Sequence, residues 1–141
     1  MTPITRLLKQ RDPDLAIAAV SRRVHDWSGG TRISACLHEF NQHWMRRVLS
    51  SDTTVLLITD GLEQGSEADP ACQRLAFEAQ RLRLSCERLL WLNPLLRFEG
   101  FEAKAAGVRA LLPEVTQHLP VHNLLSLQEL ASLLSKPPAR P

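Results

Sequence analysis

Thr54-Val55-Leu56-Leu57-Ile58-Thr59-Asp60-Gly61 decides the fold. Four apolar residues in a row stand between threonines. Such a run predicts a strand over residues 53–59 with both faces covered, as in a parallel sheet flanked by helices. Gly61 then allows a sharp backbone turn. Asp60 falls at the carboxyl end of that strand, the edge where open α/β sheets place their ligands.

Upstream, Trp27-Ser28-Gly29-Gly30-Thr31-Arg32-Ile33 is a glycine loop feeding a helix, with Thr31 as its natural cap. Ile33, Leu37, Phe40, Trp44, Met45 and Val48 recur at spacings of three and four, so one apolar stripe runs along the predicted helix. Further upstream, Asp12-Pro13 starts a helix that runs to about residue 24, with Asp12 capping and Pro13 in the first turn.

Downstream, Asp69-Pro70 repeats that start. Cys72, Leu75, Ala76, Ala79 and Leu82 make an amphipathic helix with its arginines mostly outward. Arg88-Leu89-Leu90-Trp91-Leu92 reads as a second buried strand, stopped by Asn93-Pro94. Residues 101–112 read as a helix and residues 115–121 as a weaker strand interrupted by Pro120. Ser126-Leu127-Gln128-Glu129 is a capping box for a closing helix. Residues 136–141 form a proline-rich tail, expected to be disordered. The alternation of helix and strand predicts a layered α/β domain with a mainly parallel sheet over residues 1–135.

Composition removes several function classes. The 141 residues suit one domain, and a 44% hydrophobic fraction can supply a core. A net charge of +2, few aromatics and no tyrosine argue against a nucleic-acid partner. No apolar run approaches the roughly 20 residues that span a bilayer. The three cysteines, Cys36, Cys72 and Cys86, form neither a disulfide framework nor a zinc pattern. Buried or half-buried thiols in a reducing cytoplasm are the expectation.

A hydroxyl at Thr31 and a carboxylate at Asp60 are oxygen donors of the kind that magnesium accepts. They are two arms of a site, too few to hold a cation tightly. Taken singly, Thr31 serves as a plain helix cap and Asp60 as a turn former. No Gly-x-Ser-x-Gly elbow, dinucleotide fingerprint or P-loop occurs.

Several blocks in order carry a resemblance. Asp-Trp-Ser-Gly-Gly-Thr-Arg-Ile at 26–33 and Val-Leu-Leu-Ile-Thr-Asp-Gly at 55–61 resemble the von Willebrand factor A domain, and more closely its CoxE-like branch. So do Arg11-Asp12-Pro13-Asp14, Arg46-Arg47-Val48-Leu49, Leu90-Trp91-Leu92-Asn93-Pro94 and Leu119-Pro120-Val121-His122-Asn123-Leu124. The resemblance implies a Rossmann-like three-layer sandwich. It also implies a metal-ion-dependent adhesion site in which Thr31 and Asp60 ligate Mg2+ or Mn2+. Ser28, Gly29, Gly30, Gly61 and Glu63 would form the partner-binding rim. The family's first motif, Asp-x-Ser-x-Ser, is absent. The chain is therefore expected to be an N-terminally truncated domain with weak metal affinity, a sheet gap or exposed edge, and reduced stability.

The function this implies is that of a non-enzymatic, bacterial, cytoplasmic adaptor. Its partner would be a MoxR-type AAA+ ATPase, or a client of it, in maturing a carbon monoxide dehydrogenase-like metalloenzyme. A homodimer through the exposed sheet edge is a further expectation. The reading from a different class is a small metal-dependent α/β hydrolase using Asp60.

Overall fold

The computed structural model describes residues 2–24, 32–63, 66 and 68–135. The chain divides into two compact units, Met1–Thr31 and Arg32–Pro141. In the first, α1 spans Thr5–Leu8 and α2 spans Pro13–Arg23. The expected start of α2 is present. The Asp12 carboxylate accepts the N–H groups of Asp14 and Leu15 at 2.9 and 3.3 Å, and Pro13 occupies the first turn.

The second unit carries the sheet. Its elements are α3 (Ile33–His43), α4 (Met45–Val48), β1 (Thr54–Ile58), α5 (Pro70–Leu84), β2 (Arg88–Asn93), α6 (Ala106–Leu111), β3 (Gln117–Pro120) and α7 (Leu124–Ser135). Short 3-10 turns follow β2 and α6. The strands lie in the order β1-β2-β3 and all pairings are parallel. Leu56 stands beside Leu90, and Trp91 stands beside His118. The small, parallel α/β architecture agrees with the expected fold class.

The core lies on one side of the sheet. Ile33 and Leu37 of α3, Leu75, Ala79 and Leu82 of α5, and Val108 and Leu111 of α6 pack there with Leu89 and Trp91 of β2. Val55 and Leu57 of β1 join the same cluster. Strand β2 is buried from Leu89 to Asn93, as its apolar run predicts. Strand β1 departs from expectation. Its outward residues Leu56 and Ile58 are 39% and 63% exposed. Among the described strands β1 stands at one end of the order, and its outward residues are less covered than those of β2.

A buried clasp joins α3 to α5. Glu78 is 2% exposed, and its carboxylate meets His38 Nδ1 at 2.6 Å, Asn41 Nδ2 at 2.7 Å and Arg81 at 2.9 Å. Asn41 also donates to the Glu78 carbonyl at 2.9 Å. Burial pushes the Glu78 carboxyl upward, but the His38 and Asn41 hydrogen bonds and the Arg81 charge outweigh it and hold it below the ordinary range. His38 and Arg81 are thus structural partners rather than members of a simple solvated face.

Two boundaries differ from the sequence reading. The helix expected over residues 101–112 begins at Ala106. Phe101 turns its edge to the His118 ring, and Lys104 pairs with Glu102, so residues 101–105 form a turn instead. The closing helix begins before Ser126. Asn123 Oδ1 accepts the Ser126 N–H at 2.8 Å, and Ser126 Oγ accepts the Asn123 N–H at 3.2 Å. That is a reciprocal box capped by Asn123, three residues earlier than expected. Cys72 and Cys86 are buried, whereas Cys36 is exposed. The expected tail at 136–141 lies outside the described residues.

Candidate functional site at the carboxyl edge of the sheet

Residues 59–63 leave β1 in a closely determined path. The Thr59 N–H donates to the Leu92 carbonyl at 3.3 Å, extending the ladder by one bond. The next bond should come from residue 94, but Pro94 has no N–H. The Trp91 indole supplies it instead, donating from Nε1 to the Thr59 carbonyl at 2.8 Å. The Thr59 hydroxyl then accepts the Gly61 N–H at 3.2 Å. Asp60 Oδ1 accepts the Leu62 N–H at 3.1 Å, the local turn that short acidic side chains favour.

Gly61 has φ +76°, the left-handed region. A side chain there would also run into the Trp91 ring at 2.6 Å and Val108 at 3.0 Å. Gly107 closes the loop from the other side, because a Cβ on it would collide with the Gly61 carbonyl and with Glu63. Two glycines from different elements therefore let the loop lie between Trp91 and the first turn of α6.

Glu63 completes the frame. Its carboxylate accepts the Ser34 N–H at 2.9 Å and the Ser34 hydroxyl at 3.2 Å. Ser34 is in the first turn of α3, whose preceding residue, Arg32, provides no side-chain cap. Glu63 thus satisfies a helix-start donor from 29 residues away and places negative charge where the helix dipole favours it. Both Glu63 oxygens turn to α3, so its part here is to join the loop to that helix. Asp60 stays half-exposed at the sheet edge.

The sequence expectations divide accordingly. Asp60, Gly61 and Glu63 gather at this loop. Ser28, Gly29, Gly30 and Thr31 lie outside the described residues. Trp91, Gly107 and Ser34 are the positioning residues that sequence reasoning missed. Nothing local announces the Ser34–Glu63 pairing, and Gly107 reads as an ordinary helix glycine until Gly61 is placed against it.

Among the described residues no three His, Cys, Asp or Glu side chains stand close enough to hold a metal ion. Asp60 has one oxygen in its turn, and Glu63 is engaged by Ser34. The described donors do not fit a tight cation site. No helix among the described residues is long and apolar enough to cross a membrane.

Comparisons with curated proteins and with solved structures gave no match. A family model described as "VWA domain containing CoxE-like protein" matches residues 1–127 of the 141, and the chain belongs to that family.

Proposed function

We propose that this chain is a non-catalytic protein-interaction domain working with a MoxR-type AAA+ ATPase, or a client of it. The assembly served is the maturation of a carbon monoxide dehydrogenase-like metalloenzyme. Family membership supports the interaction role. The observation that carries the choice of surface is the loop at residues 59–63. Trp91, Gly107 and Ser34 hold its backbone while Asp60 remains half-exposed at the carboxyl edge. A preset loop loses little conformational freedom when a partner docks.

The described part of the proposed contact face is Asp60 and Gly61. Glu63 supports it from behind through Ser34. Any Mg2+ or Mn2+ at Asp60 is held weakly, with water in most positions, because the described protein donors are few. The chain's own contribution is to fix the carboxylate. No reaction step is assigned to the cation.

The test is binding of a purified MoxR-type ATPase to the chain and to Asp60→Asn. The asparagine keeps an oxygen for the Leu62 N–H and removes the charge. At least a tenfold loss of affinity is expected, with no turnover of esters or phosphoesters by either protein. Equal affinity would remove Asp60 from the contact. Turnover lost in Asp60→Asn would replace this reading with a hydrolase.

A further inference from the structure

Helix α5 buries one face and leaves large apolar side chains on the other. Leu75, Ala79 and Leu82 are buried in the core. On the opposite side, Gln73, Phe77, Gln80 and Leu84 recur every three or four residues and form an exposed crest. Phe77 is 57% exposed and Leu84 81%. Helix α3 packs against one flank of α5 and α6 against the other, so α5 is the middle member of its layer and the crest points away from the sheet. Beside the crest, between α5 and α6, lies a cleft of about 240 Å3 lined by Cys72, Gln73, Ala76, Ala106, Arg109 and Ala110. Three alanines there leave room for a larger apolar side chain from outside.

The charges around the crest have one sign. Helices α5 and α6 carry Arg74, Arg81, Arg83 and Arg109 against a single acid, Glu78. Glu78 is 2% exposed and is spent on the clasp with α3. These two helices alone therefore hold more net positive charge than the +2 of the whole chain. Arg74 and Arg109 are exposed. Arg81 donates to Glu78 and stands 5.8 Å from the centre of the Phe77 ring, which fixes it beside the crest. Asp69, the acid just before α5, commits a carboxylate oxygen to the Ala71 N–H. A second copy of this face would bring like charges together. The α5 backbone is bonded within its own helix, so an extended segment gains no ladder from it. Side chains must carry the contact, which is how the ridge of one helix seats in the groove of others.

We propose that the outward face of α5, with its cleft against α6, docks an amphipathic helix of a different protein, apolar along one ridge and acidic on either side of it. An apolar side chain of that ridge would enter the cleft beside Ala76, Ala106 and Ala110, and others would cover Phe77 and Leu84. Carboxylates would meet Arg74 and Arg81 on one flank and Arg109 on the other. The face shares no residue with the loop at 59–63, and the inference rests on neither the cation nor the ATPase reading.

The probe is a fluorescent, helix-stapled peptide of about 18 residues, about 27 Å long, with leucine and alanine along one ridge and glutamate elsewhere. It is titrated against the full chain by anisotropy. A version with lysine in place of glutamate tests the sign of the charge, and a scrambled version of the same composition tests the ridge. Expected are saturable binding of the glutamate peptide and a loss of about tenfold or more for each of the other two. Arg74→Glu should weaken the glutamate peptide about tenfold and Leu84→Ser severalfold. Both positions are exposed, so the circular dichroism should not change. Arg11→Glu makes the same charge change at an exposed position of the first unit and should leave binding as it is. Absence of binding to the folded chain would overturn the proposal. So would equal binding of the scrambled peptide, or equal weakening by Arg74→Glu and Arg11→Glu. Binding to phosphatidylglycerol vesicles that is lost in Leu84→Ser would assign the face to a membrane surface, and a dimer in sedimentation dispersed by Leu84→Ser would assign it to a second copy. Either result would also overturn it.

Discussion

β1 and β2 look alike in sequence and differ in place. Val55-Leu56-Leu57-Ile58 and Leu89-Leu90-Trp91-Leu92 are both unbroken apolar runs. Leu89, Leu90, Trp91 and Leu92 are buried, whereas β1 alternates between half-buried and exposed residues. Hydrophobicity marks both as strands of a layered sheet, but it carries no record of which neighbours are present. Position in the sheet decides whether an apolar side chain contributes to stability or to a surface.

The largest expected effect lies at the centre of β2. Trp91→Ala removes a buried ring, its stack on His118 at 4.1 Å and the indole bond to Thr59. A loss of about 3–5 kcal/mol is expected in urea unfolding. A loss below about 1 kcal/mol would erase the distinction between the strands.

Glu78→Ala comes next, because it removes the buried carboxylate that His38, Asn41 and Arg81 share, leaves Asn41 only the backbone carbonyl of residue 78 and loosens α3 from α5. About 2–4 kcal/mol is expected. The clasp has a pH signature too. The folded carboxyl of Glu78 titrates below its ordinary 4.5. Its stabilisation is therefore complete above that value and is lost as pH falls through the lower folded value. Unfolding midpoints of the wild type should drop on acidification below about pH 4.5 more steeply than those of Glu78→Gln. Parallel slopes would show that the clasp is not what titrates.

Glu63→Gln should cost about 1 kcal/mol, since an amide oxygen can still accept from Ser34 but the charge at the helix start is gone. Faster amide exchange at Ser34 and Gly61 would show that the loop loosens with α3. Unchanged exchange would separate the two. At the small end, Ile58→Thr should stay within about 0.5 kcal/mol, because the side chain is mostly in water. A cost approaching that of Trp91→Ala would mean that the outer face of β1 is covered in solution.

The order of the elements was legible because turn chemistry and apolar period agree. Asp12-Pro13 and Asp69-Pro70 cap their helices as their spacing predicts, and Asn93-Pro94 ends β2. Proline did more than stop the strand. By lacking an N–H at residue 94 it left the Thr59 carbonyl to Trp91, a link across 32 residues that no local pattern carries. Ser34 and Glu63 were unreadable as a pair for the same reason. The late start of α6 and the shift of the last helix cap to Asn123 both reflect tertiary or side-chain partners overriding local propensity. Asp60 was legible as a site residue because a carboxylate and a glycine after an apolar run have a fixed place in a parallel sheet.

The most direct measurement is a calorimetric titration of magnesium and of manganese into the chain and into Asp60→Asn. The account predicts weak saturable binding in the wild type and none in the variant, with both proteins equally folded. Identical heats in the two proteins, or no binding to either, would contradict the weak cation site proposed at Asp60.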